Sequence, residues 1–283
     1  MAERGWFTTA YGPNRYHWMA QNLALAMRRH MPGVPSALIT DEPSATDKRL
    51  FDVVAPLDLS RGSGMWQKFW LDDYAPFDES LYIDSDCLPV MPIGHLFDLF
   101  AEVPFGVVGR NGTQADPTFL EFTVSDLSKL PPEWHFDSYP LFNGGLFLIR
   151  RSDECHRIFD DARFLSQHFF DYGLQPLGNG EISDEPALSL AMAKAGVRAI
   201  DRAPMPVMRV TVAVGGSFKV DVTRRRPRAD APAQIVHFAG GATTGRIYGR
   251  EARTLRLVDR SVPSRVARPI AAAVTNAKAL LAR

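Results

Sequence analysis

Apolar positions in the first hundred residues follow two alternating periods. Short apolar runs over residues 5–11, 36–40, 52–55 and 80–83 read as strands. Between the first two, Met19, Leu23 and Met27 recur at helical spacing, in a segment that Asn14 can cap and Pro32-Gly33 ends. A second helical segment carries Trp66, Phe69 and Trp70. This alternation predicts an α/β fold with a largely parallel sheet. Further on, residues 92–100 and 152–170 read as helices, and 105–109 and 145–149 as strands. Ser183 is a candidate cap for a helix over 184–195 that Gly196 stops. Strands are expected at 207–214, 217–222 and 234–238. Residues 112–137 are polar, proline-rich and aperiodic, which predicts a long loop.

Ligands of open α/β sheets gather beyond the carboxyl ends of the strands. The turn at residues 8–12, Asp41, Asp84 and Asp86 all fall at such ends. The chain has 283 residues, 46% of them apolar and 23% charged, enough for one large core. The expected layout is a catalytic domain over 1–250 with a helical tail over 251–283. Lys plus Arg and Asp plus Glu are 32 each, so charge gives no reason to expect a nucleic-acid partner. The two cysteines, Cys87 and Cys155, form no CxxC pair and no disulfide framework. The N-terminus has no long apolar leader and no run reaches the length of a membrane span, so a cytoplasmic location is the expectation.

The chemistry centres on Asp84-Ser85-Asp86. Two carboxylates one residue apart, flanked by Leu81-Tyr82-Ile83 and Leu88-Pro89-Val90, can converge on a hard divalent cation that also meets a substrate diphosphate. A solvated turn after a strand would look the same locally. A phosphatase of the haloacid-dehalogenase type is disfavoured. Leu88 stands where that motif has Thr or Val, and some 80 residues of α/β chain precede the pair.

Five blocks in order resemble the GT-A-fold glycosyltransferases, most of all family eight, the retaining group that includes glycogenin. Residues 7–30 resemble its first strand, base loop and first helix, which implies that Thr9, Ala10, Gly12 and Tyr16 surround a uracil and ribose. Trp66-Gln67-Lys68-Phe69-Trp70, ahead of Asp84-Ser85-Asp86, resembles its lysine-bearing helix and Asp-x-Asp strand, with Lys68 directed to the diphosphate or sugar. Phe142-Asn143-Gly144-Gly145 resembles its Phe-Asn-Ser/Ala-Gly signature, with Asn143 on the donor sugar, although Gly144 departs from the usual residue. Glu181-Ile182-Ser183-Asp184-Glu185 resembles its acidic segment, with Asp184 beside the reacting sugar and Glu185 where Gln is usual. Ile235-Val236-His237-Phe238-Ala239-Gly240 resembles its His-Phe-x-Gly block, which implies that His237 is the third protein ligand of the metal. The family's later Lys-Pro-Trp is missing, and Lys68, Arg246 or the cluster Arg224–Arg228 could supply the lost positive charge.

The resemblance implies an α/β GT-A fold with a mixed central sheet. It also implies Mn²⁺ or Mg²⁺ on Asp84, Asp86 and His237, and transfer of a hexosyl group from a nucleoside-diphosphate sugar, UDP-sugar favoured. The acceptor is a hydroxyl on a glycan, lipid or protein, and the configuration is retained. An inverting enzyme with Asp184 or Glu181 as base, or an inactive sugar-nucleotide-binding protein, are the alternatives. The tail from residue 265 holds Arg265, Arg268, Lys278 and Arg283 among alanines and no acid. Such a helix either packs on the domain, the preferred reading, or lies on a membrane surface.

Overall fold

The computed structural model describes residues 3–44, 46–201, 206–210, 220–223 and 233–281. The strands are β1 (Arg4–Ala10), β2 (Ser36–Thr40), β3 (Val53–Pro56), β4 (Glu79–Ile83), β5 (Cys87–Pro89), β6 (Phe105–Gly106), β7 (Gly109–Gly112), β8 (Tyr139–Phe142), β9 (Leu146–Arg150), β10 (Met208–Val210) and β11 (Ile235–His237). The chain forms two compact units. Among the described residues, the first holds 3–7, 57–83 and 97–201, and the second holds 8–56, 84–96 and 206–281. Strand β1 begins in the first and finishes in the second.

In the first unit the strand order is β1-β4-β9-β6. β1 and β4 run parallel, whereas β9 is antiparallel to both β4 and β6. The sheet is therefore mixed, where the strand–helix alternation alone predicted it largely parallel. Its strands are apolar on both faces, as expected of a covered sheet. One face carries a ladder of rings: Phe7 on Tyr82 at 5.3 Å between centroids, Tyr82 on Phe147 at 5.8 Å, and Phe105 against Phe147 and Phe159 at 5.2 and 5.1 Å. Phe159 belongs to the helix Asp153–Gln167, whose first turn is capped by the Ser152 side chain accepting from the Cys155 N–H. Residues 112–137 are more ordered than their composition predicts. They include the helix Pro117–Phe122, capped by Asp116, and two short 3₁₀ turns, and a β7–β8 hairpin frames them. The loop's ends are set by that pairing and by Arg110, which grips the Asp116 carboxylate.

In the second unit the strand order is β3-β2-β1, with a smaller sheet β10-β11-β5. The helix Asn14–His30 buries Met19, Leu23 and Met27, the three residues whose spacing predicted it. Its cap position is Pro13, so Asn14 is its first residue and not its cap. Its last turn is basic, which suits the negative end of the helix dipole. A core of Met19, Leu88, Val90, Val236, Phe238, Tyr248 and Leu255 joins this helix, β5, β11 and the helix Arg246–Asp259. That helix spans the boundary expected at 250/251. The following helix, Ser264–Leu281, packs on it through Ala267, Ala271 and Thr275. Arg268 ties the pair to Asp221 at 2.6 Å and to buried Glu251 at 3.0 Å. Along the same helix Val266, Ile270 and Val274 stay exposed. No helix among the described residues is long and apolar enough to cross a membrane.

Candidate functional site

Strand β4 is an apolar run that ends at Ile83, and the chain then turns. The Asp84 carbonyl accepts from the Cys87 N–H at 2.9 Å, so Asp84-Ser85-Asp86 forms the bend between β4 and β5. β5 then pairs antiparallel with β11, in a register that sets His237 opposite Cys87. The Asp86 carbonyl accepts from the Phe238 N–H at 3.1 Å and locks the end of that ladder. Through this pairing the His237 Nε2 lies 3.1 Å from an Asp86 carboxylate oxygen and 3.8 Å from one of Asp84. His237 is buried, and the two acids keep 15% and 21% of their side-chain surface. Two hard oxygens and an imidazole nitrogen at a partly open edge match the donor chemistry of Mn²⁺ or Mg²⁺, so the three residues fit the cation that the sequence implied. Tyr248 is fully buried, and its hydroxyl accepts from the Asn22 amide at 3.3 Å. Burial pushes its phenol above the ordinary value, and the negative charge of Asp86 adds to the effect.

A second group lies wholly within the first unit. Lys68 is buried in a 3₁₀ turn, Gly64–Trp70, where the sequence predicted a plain helix. Its ammonium donates to the Gly144 carbonyl at 2.9 Å and sits 3.5 Å from an Asp184 oxygen. It also lies about 6 Å from the ring centres of Tyr82 and Phe147, within cation–π range. Asp184 opens the helix Asp184–Lys194, where a carboxylate suits the dipole. Ser183 occupies the cap position but makes no capping hydrogen bond through its side chain, contrary to its expected role. One Glu185 oxygen accepts from the Gly144 N–H at 2.8 Å and from the Asn143 side-chain amide at 3.1 Å. Glu185 thus tethers the loop that carries Asn143. A Cβ on Gly144 would come within 2.3 Å of an Asp184 oxygen, so the glycine that departs from the family signature is what lets that carboxylate lie against the backbone.

The residues expected around the base occupy the end of β1 and the turn after it. Ala10 is buried and Thr9 half-buried. Gly12 has φ +71°, a left-handed conformation that side chains disfavour, and its N–H donates to Asp41 at 2.9 Å. The other Asp41 oxygen lies 3.4 Å from the His17 ring. A cleft of about 310 Å³ beside it is lined by Asn14, His17, Trp18, Gln21, Glu42, Pro43 and Ser44. Tyr16 accepts from Arg15 at 2.7 Å and packs partly on the core of its unit.

Other expectations fare differently. Glu181 is exposed. Gly240 has φ +57° and starts a 3₁₀ turn in place of the missing Lys-Pro-Trp, and Arg246 is exposed at the start of its helix. The cluster at 224–228 lies outside the described residues. A second acidic–histidine group, Asp72, Asp73 and His156, is an ion-pair network, because Asp72 already receives Arg163 at 2.9 Å and His156 at 2.8 Å.

No protein-family model matches the chain, and no curated protein matches it. Solved structures do. An active-site mutant of LgtC, with glutamate in place of a glutamine, superposes with a TM-score of 0.53 at 14% identity, covering 83% of this chain and 87% of that one. The galactosyltransferase LgtC in complex with donor and acceptor sugar analogs gives 0.52 at 13% identity, with 83% and 87% covered. The bifunctional glycosyltransferase WbbM gives 0.51 at 12%, covering 84% of this chain and 46% of that one. At such identity the likeness carries the fold, and the fold of this chain is the GT-A fold of the glycosyltransferases, as its sequence resemblance implied.

Proposed function

We propose that the protein is a metal-dependent glycosyltransferase that moves a hexosyl group from a nucleoside-diphosphate sugar, a UDP-sugar, to a hydroxyl acceptor with retention. The observation that carries this reading is the meeting of Asp84, Asp86 and His237. The first two stand in a bend and the third on a strand far along the chain. The set accompanies the GT-A fold. A divalent cation held by Asp84, Asp86 and His237 would neutralise charge on the departing diphosphate. The turn at Gly12, fixed by Asp41, and the flanking Thr9, Ala10 and Tyr16 take the nucleoside, and Ser85 and Gly240 offer backbone near the phosphates.

The Lys68 group takes the sugar. Asn143 orients it through its hydroxyls, and Asp184 and Glu185 present negative charge to the anomeric carbon as it gains oxocarbenium character. Lys68 sets a positive charge 3.5 Å from an Asp184 oxygen. Asp184 is 3% exposed and committed to that pairing, which suits a charge-stabilising role better than that of a mobile base. The acceptor class is a glycan, lipid or protein hydroxyl, and the cytoplasm is the proposed location. The exposed stripe Val266, Ile270 and Val274 leaves room for a peripheral membrane contact, although the helix's opposite face is used in packing.

The test is release of UDP from a panel of UDP-hexoses with Mn²⁺, in the presence and absence of simple glycoside acceptors. Mn²⁺-dependent release that Asp86→Asn and His237→Ala each abolish is expected. Release that persists in both variants with unchanged Mn²⁺ dependence puts the chemistry elsewhere. Binding without any release makes the protein a sugar-nucleotide-binding module. The anomeric configuration of the product separates retention from inversion.

A further inference from the structure

Cys87 follows the acidic bend directly and faces His237 across the β5–β11 ladder. Opposed residues of an antiparallel pair project from the same face, with Cβ atoms about 5 Å apart. The Cys87 sulfur, an Asp86 oxygen and a His237 nitrogen all lie within 4.8 Å of one another. These three atoms are a mixed S, O, N set, which is the donor set of a borderline or soft cation and not of Mn²⁺ or Mg²⁺. A tetrahedral Zn²⁺ with bonds of about 2.3 Å to sulfur and 2.0 Å to nitrogen and oxygen spaces its ligands about 3.3–3.6 Å apart. Side-chain shifts of roughly 1 Å bring the three atoms to that spacing. Asp84 lies outside this trio. The hard-cation set Asp84, Asp86 and His237 and the trio with Cys87 therefore overlap in two members, and one ion excludes the other.

We propose that the bend carries two overlapping cation sites, and that Zn²⁺ or Cd²⁺ is captured by Asp86, Cys87 and His237 in competition with the hard cation. This rests on the reading of Asp84, Asp86 and His237 as metal ligands and adds Cys87 as the residue that decides which class of ion wins. A soft ion in the trio draws Asp86 and His237 away from Asp84, so it acts as an inhibitor that excess Mn²⁺ relieves. Cys87 is fully buried, so its sulfur is reached by an ion seated between Asp86 and His237 and not by bulky thiol reagents.

Cadmium titration of the intact protein tests this, read by the ultraviolet charge-transfer band of a cadmium–thiolate bond. The expected result is a band that saturates at one ion per chain in the wild type and in Cys155→Ser. It is absent in Cys87→Ser, and an excess of Mn²⁺ shifts the titration to higher cadmium by tenfold or more. Cys155 is the fitting control, since burial pushes its thiol up to about 12 and it lies in the other unit. Cadmium NMR of the wild type, which distinguishes sulfur from oxygen ligation by shift, gives the same answer should Cys87→Ser fail to fold. A wild type without the band, a band that survives Cys87→Ser, or a titration indifferent to Mn²⁺ overturns the proposal. Donor cleavage with Mn²⁺ but no cadmium–thiolate band removes the cysteine site and leaves the transferase reading intact. The band without donor cleavage does the reverse.

Discussion

Gly144→Ala is the sharpest probe of the Lys68–Asp184 group, because the structure gives the size of the disturbance. The added Cβ lies 2.3 Å from one Asp184 oxygen and 3.2 Å from its carboxyl carbon, where ordinary contact begins near 3.4 Å. The carboxylate therefore retreats by about 1 Å. It faces the Lys68 ammonium at 3.5 Å, so a retreat to about 4.5 Å weakens that attraction by about 1 kcal/mol at an effective dielectric of about 20. Residual crowding adds to this, since overpacking a tight site costs about 1–3 kcal/mol. For a chain of this size a loss of about 2 kcal/mol lowers Tm by about 4–8 °C. If Asp184 acts on the anomeric carbon, the same 1 Å displacement lowers kcat by about 10²-fold. The KM for the donor stays closer to wild type, because the nucleoside and cation residues are untouched. Thermal melts together with UDP release read both effects. Gly178→Ala is the control: nothing lies within 4 Å of that Cβ, and it should change neither quantity. Wild-type Tm and kcat in Gly144→Ala would refute the close packing of Asp184 on Gly144, and wild-type kcat with a lowered Tm would refute the catalytic role alone.

Glu185→Gln keeps the oxygen that accepts from Gly144 and Asn143, so stability should change by less than about 1 kcal/mol. Loss of the charge should lower kcat on the order of tenfold, and a kcat at or above wild type would count against an electrostatic role. His237→Ala should weaken Mn²⁺ binding, followed by calorimetry or manganese paramagnetic resonance, by at least tenfold, and unchanged affinity would remove it from the metal set. Burial lifts the Glu251 carboxyl above its ordinary value, and the charges of Arg268 and Arg250 offset this only in part. An acid that holds its proton more tightly folded than unfolded favours the fold most below the ordinary glutamate pKa and loses that advantage as pH rises through the lifted value. The Tm of wild type minus that of Glu251→Gln should therefore fall from about pH 4 upward, and a rise over that range would contradict the sign. Arg268→Ala leaves Glu251 and Asp221 short of a cation and should cost about 2 kcal/mol, which chemical denaturation would register.

The parts of this protein that were legible in its sequence are those set by local pattern. Met19, Leu23 and Met27 marked a helix because burial on one face has a period, and β2 was marked by its apolar centre Ala37-Leu38-Ile39 ahead of Asp41. The acidic bend was visible because apolar residues flank Asp84 and Asp86 and because Lys68, Asn143, Asp184 and His237 stand around the pair in the order of the resemblance. Pairings between distant segments were not legible. β5 is three residues long and has no period of its own, and only its partner β11 makes it a strand. The same pairing sets Cys87 against His237, a juxtaposition that a cysteine without a CxxC partner did not announce. Residues 112–137 read as loop because Arg110 with Asp116 and the β7–β8 pairing hold them, and neither leaves a periodic trace.

The departures from the family pattern, which looked like separate losses in the sequence, are linked in space. Without a side chain on Gly144, the Asp184 carboxylate moves in beside the backbone, and the Gly144 carbonyl and N–H turn to Lys68 and Glu185. Glu185 thereby adds a second carboxylate beside Asp184, in the group that Lys68 joins. A glutamine at 185 would add no charge. On the proposed reading that extra carboxylate lowers the energy of a sugar whose anomeric carbon turns positive in the transition state. Gly144 and Glu185 therefore form one adjustment, which places its stabilisation in the transition state, the direction that raises kcat and not affinity.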